Sequence, residues 1–328
     1  MLKRDEKGGY QGRVCMIQAA GPSIYNHSQM ALTFRKYIFD RFPINQIWDF
    51  SHLKRHLYLG AEVVSVALIS GHRPLDSVQH TIGRTTYASK EKLYFDFDRY
   101  DFHWVARDAI GDSPYVWKTN LFGGGRFHDI VDRCQMQKSI GQFIKEHLTS
   151  GWYKGQGFSP LKETKEMRRK LLEGKNVLNE AESEELTVLR KDAKEANYLT
   201  GKPYFEKDSI TGELICKGNV EHKYFTRRRV KKLFVGPVML ISETIPFPTK
   251  FIQKGKKAAY SDVITGIIAP QEDTSKLLSI SDFLRDHARL CNFLVACVSS
   301  RYIIDKVTAT NQNDLLCLPF VGGDSPKP

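Results

Sequence analysis

No apolar run in this sequence approaches the ~20 residues that a membrane-spanning helix needs. The longest, at 63–69 and 235–241, are strand-length. The opening stretch MLKRDEKGGYQG has no apolar core, so no secretory signal is read there. Cysteine is sparse, and Cys15, Cys134, Cys216, Cys291, Cys297 and Cys317 form no C-x-x-C pair. That excludes a zinc-finger or disulfide framework and points to reduced thiols and a cytoplasmic setting. Catalytic signatures are missing too. There is no G-x-S-x-G elbow, no Walker A loop, no H-E-x-x-H, and no H-x-E followed by P-C-x-x-C. Ten histidines show no ligand spacing. Gly123-Gly124-Gly125 lacks the third glycine and the preceding strand of a nucleotide cradle, and reads as a turn.

What is present is a globular composition, 41% hydrophobic and 26% charged over 328 residues, enough for two domains. The net charge of +12 points to a polyanionic partner without saying anything about fold.

The first seventy residues read as α/β. The run RVCMIQAA at 13–20, closed by Gly21-Pro22, fits a buried strand. Ser28 is an N-cap candidate, and Met30, Phe34, Tyr37 and Ile38 then fall at helical spacing until Pro43. Strands follow at 44–50 and 62–69. Strand, helix, strand, strand is part of a sheet rather than a whole one, so an incomplete sheet with an uncovered apolar edge is expected. A domain boundary is placed near 105, giving domains at 1–105 and 106–328. The charge-dense segment at 160–198 reads as one or two exposed helices broken near Gly174, or as a solvated spacer. Residues 202–260 are strand-like, and Ser281 is read as opening a last helix with Phe283, Leu290, Leu294 and Cys297 on one face.

Between Glu221 and Tyr260 lie ten basic residues: Lys223, Arg227, Arg228, Arg229, Lys231, Lys232, Lys250, Lys254, Lys256 and Lys257. Only Glu221 and Glu243 oppose them, and aromatics are interleaved: Tyr224, Phe225, Phe234, Phe247, Phe251 and Tyr260. Such a window suits a nucleic-acid surface, where each phosphate contact releases counterions. The bland reading is a solvated basic face.

The order of these pieces resembles a family. A strand at 14–20, Pro22-Ser23, Phe34-Arg35 on a helix, a strand ending Asp49-Phe50-Ser51, and Leu57-Tyr58-Leu59-Gly60-Ala61 follow one pattern. It is the second half of the catalytic domain in adenine-specific DNA methyltransferases of restriction-modification systems, of the type IIG or N-6 DNA methylase kind. His103-Trp104, SIGQFI at 139–144, GQGF at 155–158 and DLLCLPF at 314–320 continue the match into the family's target-recognition domain. The resemblance implies an α/β fold class: an incomplete Rossmann-like methyltransferase sheet followed by an α+β target-recognition domain. It also implies double-stranded DNA as partner.

The family's cofactor loop F-x-G-x-G and its reactive (D/N)-P-P-(Y/F/W) are absent, and no Pro-Pro pair occurs. The chain is thus expected to look like the C-terminal part of such an enzyme, by truncation or gene splitting. On that reading it binds no S-adenosylmethionine alone and needs an N-terminal methyltransferase half or subunit for activity. The family's aromatic that packs on a flipped adenine falls at Tyr58; an ordinary half-buried tyrosine is the alternative. A stand-alone DNA specificity subunit, or an RNA-binding protein using the same basic face, are the competing functions.

Overall fold

The computed structural model describes residues 6, 12–54, 56–58, 63–89, 92–112, 115–159, 163–192, 194–221, 224–225, 229–302 and 310–320. It is a mixed α/β chain with several sheets and helices, and it divides into two compact units. The first comprises 1–136 with 293–310, the second 137–292 with 311–328. This division falls after Met136, with the segment near 105 inside the first unit. The reason is pairing: the aromatic segment at 102–106 hydrogen-bonds into the first sheet instead of leaving it.

In the first unit the chain runs through β1 (Val14–Ala19), α1 (Gln29–Arg41), β2 (Ile44–Asp49), β3 (Ser65–Ser70) and β4 (Ser77–Ile82). It continues with β5 (Arg84–Ser89), β6 (Lys92–Asp96), β7 (Phe102–Ala106), α2 (Ala109–Asp112), α3 (Val116–Leu121) and α4 (Arg126–Gln135). Five strands form one sheet in the order β1-β3-β2-β4-β7, and β5–β6 make a separate hairpin. β3 lies antiparallel between β1 and β2, β4 runs parallel to β2, and β7 closes the far side antiparallel. The three strands expected at 13–20, 44–50 and 62–69 thus share one sheet. One core holds the unit together, with Ile38 and Phe39 of α1 packed with Ile47, Val66, Leu68 and Trp117.

Helix α1 begins where Ser28 caps it, its hydroxyl accepting from the Ala31 amide at 3.3 Å. Its buried face differs from the one expected. Met30, Phe34 and Tyr37 face solvent, while Ala31, Arg35, Ile38 and Phe39 are buried. The exchange works because Arg35 spends its guanidinium indoors, Nε donating to Ser23 O and Nη2 to Asn26 O, each at 3.0 Å.

Strand β1 is the edge of the sheet, and neither of its faces is covered. Val14 and Met16 on one face are 44% and 51% exposed, and Ile17 on the other is 60% exposed. An apolar strand bare on both faces is a pairing and aggregation hazard. Replacing Met16 and Ile17 by lysine is therefore expected to shift stability by no more than ~0.5 kcal/mol, as exposed substitutions do. The same variant should lower self-association, read by light scattering at rising concentration. A large stability loss would show that β1 is covered in solution.

The second unit contains α5 (Ile140–Glu146), β8 (Tyr153–Gln156), α6 (Glu163–Glu173), α7 (Glu180–Asp192), β9 (Lys194–Glu195), β10 (Pro203–Lys207) and β11 (Leu214–Asn219). After these come β12 (Tyr224–Phe225), β13 (Val238–Ser242), β14 (Thr249–Ile252), β15 (Ala259–Tyr260), β16 (Ile264–Ile268) and α8 (Thr274–Asp286). Helix α9 (Ala288–Val298) crosses the division between the units, and α10 (Gln312–Leu316) belongs to the second. An antiparallel sheet β14-β13-β16-β8 lies in this unit with a three-stranded β11-β10-β15 and a two-stranded β12-β9. The charged segment forms a helical hairpin whose first helix ends just before Gly174. Leu172, Leu186 and Leu189 pack between its helices, and Arg168 grips Glu185 through two hydrogen bonds of 3.0 and 2.8 Å. The last helical stretch starts earlier than expected. Ser281 sits inside α8, which opens at Thr274 after a short 3-10 turn, and α9 is a second helix.

The GQGF segment is explained by close approach. A Cβ on Gly157 would lie 2.0 Å from the Tyr260 carbonyl oxygen, so only glycine lets this backbone press against the neighbouring strand. The approach seats Phe158, 1% exposed, in a core with Phe225, Phe234 and Tyr260. Among the described residues no helix is long and apolar enough to cross a membrane.

Candidate nucleic-acid interface and a buried polar network

The basic window divides into parts with different fates. Lys223, Arg227 and Arg228 lie outside the described residues. Arg229 is half-buried, its Nε donating to Gly157 O at 2.9 Å and its Nη2 3.4 Å from Gln156 Oε1, so it braces the end of β8. Four of the interleaved aromatics are core and not a stacking surface: Phe225, Phe234, Phe247 and Tyr260 are buried.

Lys231, Lys232, Lys250, Lys254, Lys256 and Lys257 are exposed. Two backbone segments bring most of them together. Val235 bridges to Lys257, the Gly236 amide donates to Lys256 O at 2.9 Å, and the Ala258 amide donates to Phe234 O at 3.2 Å. Leu233 and Phe234 are buried under this pairing, so the lysines on either side of them must face outward. Lys232 places its ammonium 3.7 Å from the centre of the Tyr153 ring, a cation–π contact that fixes its direction.

Lys202, outside the expected window, joins the cluster. Burial first, and then the like charges of Lys257 and Lys231, pull its ammonium below the ordinary lysine value. Among the described residues no carboxylate pairs with Lys231, Lys254, Lys256 or Lys257. Lys202 was missed because it stands alone in sequence, nineteen or more residues from the window.

The first unit holds a different construction. Asp49, the last residue of β2, is fully buried, as are Tyr25 and His80. Its Oδ2 accepts from the Tyr25 hydroxyl and from His80 Nε2 at 3.1 Å, and its Oδ1 accepts from the Ser51 amide at 2.8 Å and from the Ser51 hydroxyl. Asn120 Nδ2 lies 3.4 Å from His80 Nδ1. The Trp117 ring meets the His80 ring edge-on at 5.2 Å.

Burial by itself would raise the Asp49 pKa. The His80 hydrogen bond and charge, followed by Ser51 and Tyr25, outweigh it and hold the carboxyl below its ordinary value. The same burial, and then the Asp49 charge, push the Tyr25 phenol well above its ordinary value. Both oxygens of the carboxylate are hydrogen-bonded, and Asp49, Tyr25 and His80 are fully buried. An Asp–His pair so enclosed ties the turn after β1, β2, β4 and α3 together and has no open position for a substrate. None of its members was singled out from sequence, apart from Asp49 and Ser51 inside the family pattern.

Nearby in the same unit, His27 is held neutral. Burial, and then the charges of Arg35 and Lys118, lower its pKa to about 3. Tyr58 stands 40% exposed, between His56 and residues outside the described set. It lies in the first unit and the lysine cluster in the second. Among the described residues no group of three His, Cys, Asp or Glu side chains could hold a metal ion.

Neither a protein-family model nor a curated protein sequence matches the chain. Among solved structures it is similar to the type IIG restriction endonuclease BpuSI, at 8% identity with a TM-score of 0.30. That match covers 95% of this chain and 40% of the other, so the chain spans less than half the length of that neighbour.

Proposed function

We propose that this chain is the DNA-binding, sequence-recognition portion of an adenine-specific DNA methyltransferase of a restriction-modification system. The observation that carries the reading is the lysine cluster at Lys231, Lys256 and Lys257, joined by strand pairing and, among the described residues, without carboxylate partners, with Lys202, whose ammonium donates to the Tyr198 carbonyl, close enough to feel the charges of Lys257 and Lys231. Phosphates of duplex DNA supply the missing counter-charge. The finer part of the proposal, an incomplete Rossmann-like catalytic domain, is supported by the motif order and by β1, an apolar strand with both faces bare. The missing portion would come from an N-terminal methyltransferase half or subunit.

On this reading the chain alone transfers no methyl group and gives no heat on isothermal titration with S-adenosylmethionine, because the cofactor loop and reactive motif are not in it. Tyr58 then serves the assembled enzyme by packing on the flipped adenine. Arg229, committed to Gly157 and Gln156, acts by shaping the surface and not by touching phosphate.

The test is a titration of fluorescein-labelled duplex DNA with the chain, repeated with an RNA duplex of matched sequence. Saturable DNA binding that weakens as salt rises is expected. Preference for RNA would favour the RNA-binding alternative, and no binding to either would remove the proposal.

A further inference from the structure

The first unit carries a second basic feature, at the opposite end of β2 from Asp49. A groove of about 400 Å³ opens where β1 and β2 begin and β3 ends, and its lining includes Arg13, Asn45, Gln46, His72 and Arg73. No aspartate or glutamate is among its lining residues. Arg13 and Arg73 are exposed, and among the described residues neither guanidinium is held by a carboxylate.

The groove is built and not merely left over. Asn45 pins the loop after β3 from both sides, its Nδ2 donating to Arg73 O at 2.8 Å and its Oδ1 accepting from the Leu75 amide at 3.0 Å. Arg107 braces the same point, donating from Nη2 to Asn45 Oδ1 at 3.0 Å and from Nε to Leu75 O at 2.7 Å. A Cβ on Gly71 would fall 2.5 Å from Asn45 Nδ2, so the loop passes this close only because Gly71 has no side chain. Arg73 is thereby presented from a fixed backbone, next to Arg13 at the start of β1. Planar guanidinium forks match the paired oxygens of a phosphate, and a braced backbone reduces the ordering cost of binding.

We propose that this groove is a phosphate-binding site, with Arg13 and Arg73 as its two principal donors. The phosphate would be carried by a nucleotide or by a nucleic-acid strand. The proposal goes beyond the DNA-recognition reading and stands without it, since the groove belongs to the first unit and the lysine cluster to the second.

The arginine Nε–H resonances of the intact chain, assigned by single substitution, are followed while inorganic pyrophosphate, ATP and a duplex oligonucleotide are added separately. Pyrophosphate is expected to shift the Arg13 and Arg73 signals. A further response to ATP alone identifies a nucleotide as the source, and to the duplex alone a nucleic-acid backbone. The Arg13→Ala/Arg73→Ala variant, with both side chains exposed, should keep its fold and lose at least tenfold in affinity for whichever probe binds. If none of the three probes moves these signals, or if the double variant binds as the parent does, the site is overturned. Duplex binding with no change at Arg13 and Arg73 from any of the three probes overturns the groove and leaves the recognition reading standing; pyrophosphate shifts without duplex binding do the reverse.

Discussion

Asp49→Ala is expected to lower the stability of the chain by about 3–5 kcal/mol, the usual cost of removing one partner of a buried, hydrogen-bonded pair. The substitution strands the Tyr25 hydroxyl, the His80 Nε2 and the Ser51 hydroxyl in the core, where unpaired polar groups bear their full desolvation penalty. It also leaves a void beside His80, whose ring meets Trp117 edge-on. Urea denaturation at neutral pH measures the loss. The sign of its pH dependence follows from the carboxyl's depressed value. A carboxylate held below its unfolded value of ~3.9 contributes fully above that value, and its contribution disappears as pH falls through the native one. The gap between parent and variant should therefore be widest near pH 7 and narrow below about pH 4. A variant as stable as the parent at pH 7 would mean that the network does not hold β2, β4 and α3 together.

The second large effect concerns the surface. Lys231→Ala/Lys256→Ala/Lys257→Ala removes three exposed charges from the cluster without touching the buried Leu233 and Phe234 beneath them. Folding should be unaffected, because the three side chains are exposed. Relief of the Lys231 and Lys257 repulsion should let the Lys202 ammonium rise toward its ordinary value, although burial keeps part of the shift. For DNA binding each lost phosphate contact lowers the log–log salt slope by ~0.9, so the triple variant should lose about 2.7. Lys250→Ala, on β14, offers a comparison outside the segments joined by the Val235–Lys257 bridge.

The sequence alone revealed the elements better than their orientation. Strands at 14–19, 44–49 and 65–70 were legible as short apolar runs, the first and last closed by Gly21-Pro22 and Gly71 and the middle one opened after Pro43, and the charged hairpin showed its break at Gly174. Helix α1 was legible in its cap and its stop but not in its face. Periodicity assigns burial to Met30, Phe34 and Tyr37, while the fold buries Arg35 because two backbone carbonyls, Ser23 O and Asn26 O, receive its guanidinium. A similar limit applies to the basic window. Charge density was visible, yet nothing local showed that Arg229 would turn inward to Gly157, or that Phe234 and Tyr260 would be core. The Asp49 network was the least legible feature. Its partners come from positions as far apart as Tyr25 and Asn120, and burial of a polar side chain leaves no periodic trace.

The most direct measurement is the salt dependence of duplex DNA binding, by fluorescence anisotropy, for the parent and the Lys231/Lys256/Lys257 alanine variant side by side. The account predicts linear log–log plots for both, with the variant shallower by about 2.7 and weaker at every salt concentration. Identical slopes and affinities in the two proteins would contradict it, and would make the lysine cluster a solvated face with no part in recognition.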